Sequence, residues 1–188
     1  MTLASLPNAI CWLRIALTVP VVWALVSGLY SLTLALFLVA AVSDGLDGFL
    51  AKRFGWESEL GKLLDPVADK LLLVSVFITL TLTSLVPLWL ALAAVVRDVV
   101  IGVGAATYRR LFGALEGRPT VPSKLNTLLQ LSFVLAVVAR AADWPVPDAL
   151  VVALGAATFI TTVVSGIDYV LIYSRRAARV ARERRAAA

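Results

Sequence analysis

Four aspartates stand in two tight pairs, Asp44 with Asp47 and Asp65 with Asp69. Spacings of i, i+3 and i, i+4 put the two members of each pair on one face of a helix. Four carboxylates together in a medium of low dielectric repel one another and take up protons. A divalent cation relieves that repulsion. Two cations about 3.5–4 Å apart relieve it better and suit phosphoryl chemistry. The rest of the composition narrows the choice. The chain has no histidine and one cysteine, Cys11. Imidazole catalysis, phosphohistidine, His metal sites and an intrachain disulfide are excluded, and the metal ligands must be carboxylates, which suit magnesium or manganese.

These charges sit in an apolar chain. Of 188 residues, 61% are hydrophobic and 15% charged, against about 25% charged in an ordinary soluble domain. Mean hydropathy is +0.93. A soluble fold would leave large apolar patches in water. The expected fold is therefore an all-α integral membrane protein. Its six segments run over 8–27, 31–53, 60–83, 86–112, 122–142 and 147–174, separated by short breaks marked mostly by Gly and Pro. Residues 1–174 form one six-helix membrane domain, and 175–188 form a basic cytoplasmic tail. The N-terminus has no basic residue before Arg14 and no evident cleavage site, so the first helix is expected to be retained.

Six spans alternate sides. One side receives Lys52, Arg53, Lys62, Arg109, Arg110, Arg118, Lys124 and the Arg-rich tail, and the other only Arg140. Both termini are then cytoplasmic, and the tail is a topology signal at an anionic leaflet, not a nucleic-acid contact. Trp89 and Trp144 fall near the outer interface.

A charge within a span costs roughly 2.5–3.5 kcal/mol even on a lenient scale. Folding the topology brings Arg14, the four aspartates and Asp168 to the cytoplasmic half, with Arg97 and Asp98 near mid-depth. One polar cavity open to the cytoplasm would collect them. For Asp98 or Asp168 alone a buried ion pair, with Lys70 or Arg97 as partner, explains the charge as well. It explains two spaced pairs poorly. An ion relay fits less well, because the charges cluster on one side and the chain lacks duplicated halves. Gly45, Gly48 and Gly61 let helices or a ligand approach the backbone, and Pro66 falls in the first turns of the third helix.

The stretch Asp44-Gly-Leu-Asp47-Gly48-Phe-Leu-Ala51-Lys52, eight residues, then Gly61-Lys-Leu-Leu-Asp65-Pro-Val-Ala-Asp69 resembles the CDP-alcohol phosphatidyltransferase signature, D-x2-D-G-x2-A-R-x8-G-x3-D-x3-D. All four aspartates, both glycines and the alanine match. Lys52 stands where the pattern has Arg, and Arg53 follows. The charge is kept but a bidentate fork is not, so either residue could meet a pyrophosphate. Leu6-Pro7-Asn8 through Arg14 and Pro20 resembles the family's N-terminal segment. Arg97-Asp98 and Pro122-Ser-Lys-Leu-Asn-Thr127 with Gln130 resemble the CMP-forming cardiolipin synthase branch. The phosphatidylglycerophosphate synthase branch usually shows Arg-Glu and a Gly-Lys-x-Lys-Thr type segment there.

The resemblance implies six transmembrane helices, usually in a homodimer, with a cytoplasm-facing site. It implies CDP-diacylglycerol as donor and Asp44, Asp47 and Asp65 as ligands of two divalent cations, Mg2+ or Mn2+. Asp69 would also touch a metal and take the proton of the acceptor hydroxyl. Asn8, Gly48, Lys52 and Ser58 would line the CDP site. Arg97, Arg118 and Lys124 would surround an anionic acceptor phosphate, on phosphatidylglycerol or, as the alternative, glycerol 3-phosphate. For Arg118 and Lys124, topology-setting loop charge is an equal reading. A catalytically silent lipid-binding membrane protein would require a broken signature, and no aspartate is missing.

Overall fold

The computed structural model describes residues 6–54, 59–112 and 120–186, with side chains described for 12–43, 68, 70–108, 110 and 120–176. Among the described residues there are six helices and no strand. They are α1 (Leu6–Val26), α2 (Tyr30–Phe54), α3 (Glu59–Leu82), α4 (Leu88–Phe112), α5 (Val121–Ala141) and α6 (Asp148–Ala186). Every expected segment has its helix. The largest difference is α6, which continues through the Arg/Ala tail. Residues 175–186 contain no Gly or Pro, and Arg and Ala are among the strongest helix formers, so nothing stops the helix where the apolar run ends.

Three helices end alike. After α1, Leu29 N–H donates to Ala24 C=O (2.9 Å) and Gly28 N–H to Leu25 C=O (3.2 Å), with Gly28 at φ +71°. After α3, Leu85 donates to Leu80 (2.8 Å) and Ser84 to Thr81 (3.0 Å). After α5, Trp144 donates to Ala139 and Asp143 to Arg140, both 3.0 Å. Each is a Schellman cap that satisfies the last carbonyls. Only the first uses glycine at its left-handed position. Ser84 (φ 59°) and Asp143 (φ 62°) adopt it with a side chain.

The helix α4 (Leu88–Tyr108), all of α5 and α6 (Asp148–Arg176) are long and apolar enough to cross a membrane. The described apolar stretches Trp12–Val26, Tyr30–Ser43 and Lys70–Leu82 are shorter.

The chain divides into two compact units. The first comprises Met1–Pro87 with Val134–Asp148, and in it α1 packs against both α2 and α3. Its core holds Val21, Ala24 and Leu25 of α1, Leu34 and Phe37 of α2, and Val76, Phe77 and Leu80 of α3. Buried Thr18, Thr33 and Thr79 return their hydroxyls to the carbonyl four residues back, the usual way to hide a hydroxyl in an apolar helix.

The second unit comprises Leu88–Phe133 with Ala149–Ala188. Here α5 and α6 run antiparallel in fixed register. Asn126 faces Thr162, and Phe133 lies over Gly155, where a Cβ would meet the ring at 3.1 Å. Ser123 and Ser165 are bridged by one guanidinium. Each step forward on α5 is matched by an equal step back on α6. At one end of α4 Trp89 packs edge-on to Phe159, ring centroids 5.1 Å apart. Further along, Tyr108 of α4 and Tyr173 of α6 stack at 6.3 Å.

Candidate functional site

The four aspartates are carried by two helices consecutive in the chain. Asp44 and Asp47 lie on α2, ten and seven residues before its end at Phe54. Asp65 and Asp69 lie on α3, six and ten residues after its start at Glu59. At 1.5 Å per residue the inner members, Asp47 and Asp65, are about 9–10.5 Å along their helices from the connected ends, and the outer members, Asp44 and Asp69, about 15 Å. The link 55–58 cannot separate Phe54 from Glu59 by more than about 18 Å. Counted along each helix from the connected ends, the inner members match and the outer members match, on two helices that both pack against α1. The side chains of Asp44, Asp47, Asp65 and Asp69 lie outside the described ones. As a donor set, oxygen ligands in i, i+3 and i, i+4 pairs suit hard divalent cations.

Gly48 and Lys52 lie on α2, one residue and five residues past Asp47, and Asn8 lies in the first turn of α1. Ser58 and Arg118 lie outside the described residues. Pro66 is the eighth residue of α3. It therefore stands beyond the first turn, where its missing N–H would have been spare, and it leaves the carbonyl of Lys62 without its usual helical donor. Arg14, on α1, is 2% exposed. It is carried by the helix that contacts both aspartate-bearing helices.

In the second unit the focus is Arg97, 6% exposed. Its Nη1 donates to Asp98 Oδ1 at 2.7 Å. Its Nη2 donates to Ser123 Oγ at 2.7 Å and to Ser165 Oγ at 2.5 Å. The guanidinium lies 6.0 Å from the Tyr169 ring centroid, within cation–π range. One side chain thus ties α4 to the first turn of α5 and to α6. The buried ion pair that the sequence offered as an explanation of Asp98 is present. Lys124, the next residue after Ser123, is exposed. Asp168 is half-buried on α6.

Ser165 and Tyr169 were not singled out from sequence. The signal was available: Thr158, Thr162, Ser165 and Tyr169 form a polar stripe at helical spacing along α6. Between neighbouring apolar residues, serine and threonine in a helix read first as fillers that bond their own backbone, and that masked the stripe.

The family model described as CDP-alcohol phosphatidyltransferase matches residues 4–167. A Drosophila melanogaster protein named probable cardiolipin synthase (CMP-forming) is 35% identical over 144 residues, 68% of this chain and 45% of that protein. A human cardiolipin synthase (CMP-forming) is 31% identical over 148 residues, 70% of this chain and 49% of the other. A Mycobacterium tuberculosis protein named probable phosphatidylglycerophosphate synthase is 34% identical over 140 residues, 72% and 63% respectively. The chain spans about half the length of the curated relatives it matches. With a family match over nearly the whole chain, and all four signature aspartates carried on α2 and α3, the chain belongs to the CDP-alcohol phosphatidyltransferase family.

Proposed function

We propose that this chain is a cardiolipin synthase of the CMP-forming type. It transfers the phosphatidyl group of CDP-diacylglycerol to a hydroxyl of phosphatidylglycerol and releases CMP. The observation that carries the reaction class is the match at seven of the signature's eight typed positions, with Lys52 keeping the charge at the eighth, on α2 and α3 inside a family match over residues 4–167. The acceptor rests on Arg97-Asp98, on the Pro122 to Thr127 segment and on the names of the fly and human relatives. The mycobacterial relative's name supports the second reading, glycerol 3-phosphate as acceptor.

Asp44, Asp47, Asp65 and Asp69 would hold two divalent cations, which supply charge neutralisation for the donor pyrophosphate. Asp69 accepts the proton of the acceptor hydroxyl. That oxygen attacks the phosphatidyl phosphorus, the bond from this phosphorus to the CMP oxygen breaks, and CMP leaves with the electron pair. Positioning and charge neutralisation are what phosphoryl transfer chiefly needs. Lys52 or Arg53 meets the pyrophosphate, while Asn8, Gly48 and Ser58 line the nucleotide. Arg97, Arg118 and Lys124 set a positive field for the acceptor phosphate. The protein works as a six-span homodimer in the membrane, with its site and both termini facing the cytoplasm. The Lys/Arg asymmetry of the connections supports that orientation.

The test is purified protein in liposomes with CDP-diacylglycerol and Mn2+ or Mg2+, offered phosphatidylglycerol and glycerol 3-phosphate separately, with lipid products read by mass spectrometry. Cardiolipin and CMP only from the first acceptor is the expected result. Phosphatidylglycerophosphate only from the second would keep the family chemistry and overturn the acceptor.

A further inference from the structure

The antiparallel register of α5 and α6 makes a ladder whose rungs can be compared. At Ser123/Ser165 the hydroxyls accept from Arg97 Nη2. At Asn126/Thr162 the amide oxygen accepts from the Thr162 hydroxyl at 2.8 Å and from that of Thr161 at 3.0 Å. At Phe133/Gly155 a ring fills the space that a side chain would take. The rung between the last two, Gln130/Thr158, is different. Both residues are buried, 2% and 0% exposed, and Gln130 Nε2 and Thr158 Oγ1 have no protein partner among the described residues. One turn away, Asn126 is 0% exposed and its Nδ2 is likewise without a protein partner. Exchanging the amide's oxygen and nitrogen would not cure this, because the hydroxyls would then serve the nitrogen and strand the oxygen.

Asn126 and Gln130 are i, i+4 on α5, and Thr158 and Thr162 are i, i+4 on α6, so these groups border one stretch of the interface. Both helices are long and apolar enough to cross a membrane. There, bulk water cannot rescue a stranded donor, and each polar group must find a partner inside the protein. Two amide nitrogens offering N–H and a hydroxyl that can donate or accept form a set that one small acceptor–donor completes. A buried water typically makes about three hydrogen bonds to polar groups of this kind.

We propose that the Gln130/Thr158 rung is an internal water-binding site. A water there accepts from Gln130 Nε2 and Asn126 Nδ2 and donates to Thr158 Oγ1. The hydrated rung locks the register of α5 on α6, since sliding either helix by one residue sets these polar groups against apolar neighbours.

The chain has one glutamine and two asparagines, Asn8 and Asn126. Full-length protein labelled with 15N only at glutamine and asparagine, in bilayers of deuterated lipid, therefore gives a single glutamine side-chain NH2 signal. Magnetisation transferred from water should reach the Gln130 NH2 several-fold faster than it reaches the backbone amide of lipid-exposed Leu128, labelled in a parallel sample. Thr158→Val should slow the transfer several-fold while the Gln130 signal persists. Transfer in the wild-type protein no faster than to the Leu128 amide would overturn the site. So would transfer from lipid glycerol protons in bilayers deuterated only in the acyl chains, which would give these donors to a lipid carbonyl. The wild-type measurement decides even if Thr158→Val does not fold.

Discussion

Gly102 and Gly104 stand two residues apart on α4, and alanine at each should have opposite effects. A Cβ at Gly102 meets nothing within 4 Å. The substitution gains helix propensity, worth roughly 0.5–1 kcal/mol. A Cβ at Gly104 meets Tyr173 Cδ2 at 2.8 Å and Cε2 at 3.0 Å. The ring is not a loose end, because it stacks on Tyr108 and leans on Tyr169 with centroids 5.7 Å apart. Either the ring leaves both neighbours or α4 retreats from α6. Overpacking of this kind costs about 1–3 kcal/mol. Set against the same propensity gain, Gly104→Ala should destabilise by roughly 0.5–2 kcal/mol. Thermal unfolding of the purified protein in detergent, at fixed detergent and lipid, measures both. Near 2–4 °C per kcal/mol for a chain of this size, the two midpoints should fall on opposite sides of wild type. Tyr173→Leu should remove most of the Gly104→Ala penalty. Equal shifts for the two alanines, or no rescue by Tyr173→Leu, would refute the close approach of α4 and α6 at this point.

Three further outcomes follow from particular contacts. Arg97→Met removes bonds to Asp98, Ser123 and Ser165 and should cost about 3–5 kcal/mol, as broken buried pairs do. Arg97→Lys should cost less and Ser123→Ala about 1 kcal/mol, an order that thermal unfolding reads directly. Ser84→Gly relieves a left-handed residue at the α3 cap and should stabilise by about 1 kcal/mol, seen as a raised midpoint. Exhaustive chelation should abolish CMP release, and Mn2+ or Mg2+ should restore it. Turnover that survives chelation would sink the two-cation site.

The helices were legible because apolar runs of about 20 residues, punctuated by Gly and Pro, leave few alternatives. Each of the six formed within a few residues of its expected bounds, apart from the end of α6. There the composition changes while the helix continues through the basic residues. The caps were partly legible. Gly28 announced itself, whereas Ser84 and Asp143 take the same backbone angles without the residue that normally signals them. The place of the aspartate pairs on α2 and α3 was legible because it depends only on the bounds of two helices and on spacing along each of them. The partners of Arg97 were not, since they come from helices distant in sequence. Ser165 is 68 residues away, and the sequence shows its spacing within α6 but not which helix faces it. The α5–α6 ladder is of the same kind, because register between two helices is a property of neither alone.

The central proposal is that the carboxylates carried by α2 and α3 form one phosphatidyl-transfer site in which Asp69 is the base. Asp69→Asn keeps the size of the side chain and removes its basicity. CMP release should fall by about 10²–10⁴-fold, the usual contribution of a positioned base, while binding of CDP-diacylglycerol, measured by its protection against thermal unfolding, stays close to wild type. Unchanged turnover would contradict the role of Asp69. Loss of donor protection together with turnover would reduce Asp69 to its part in holding the cations and leave the proton without its acceptor.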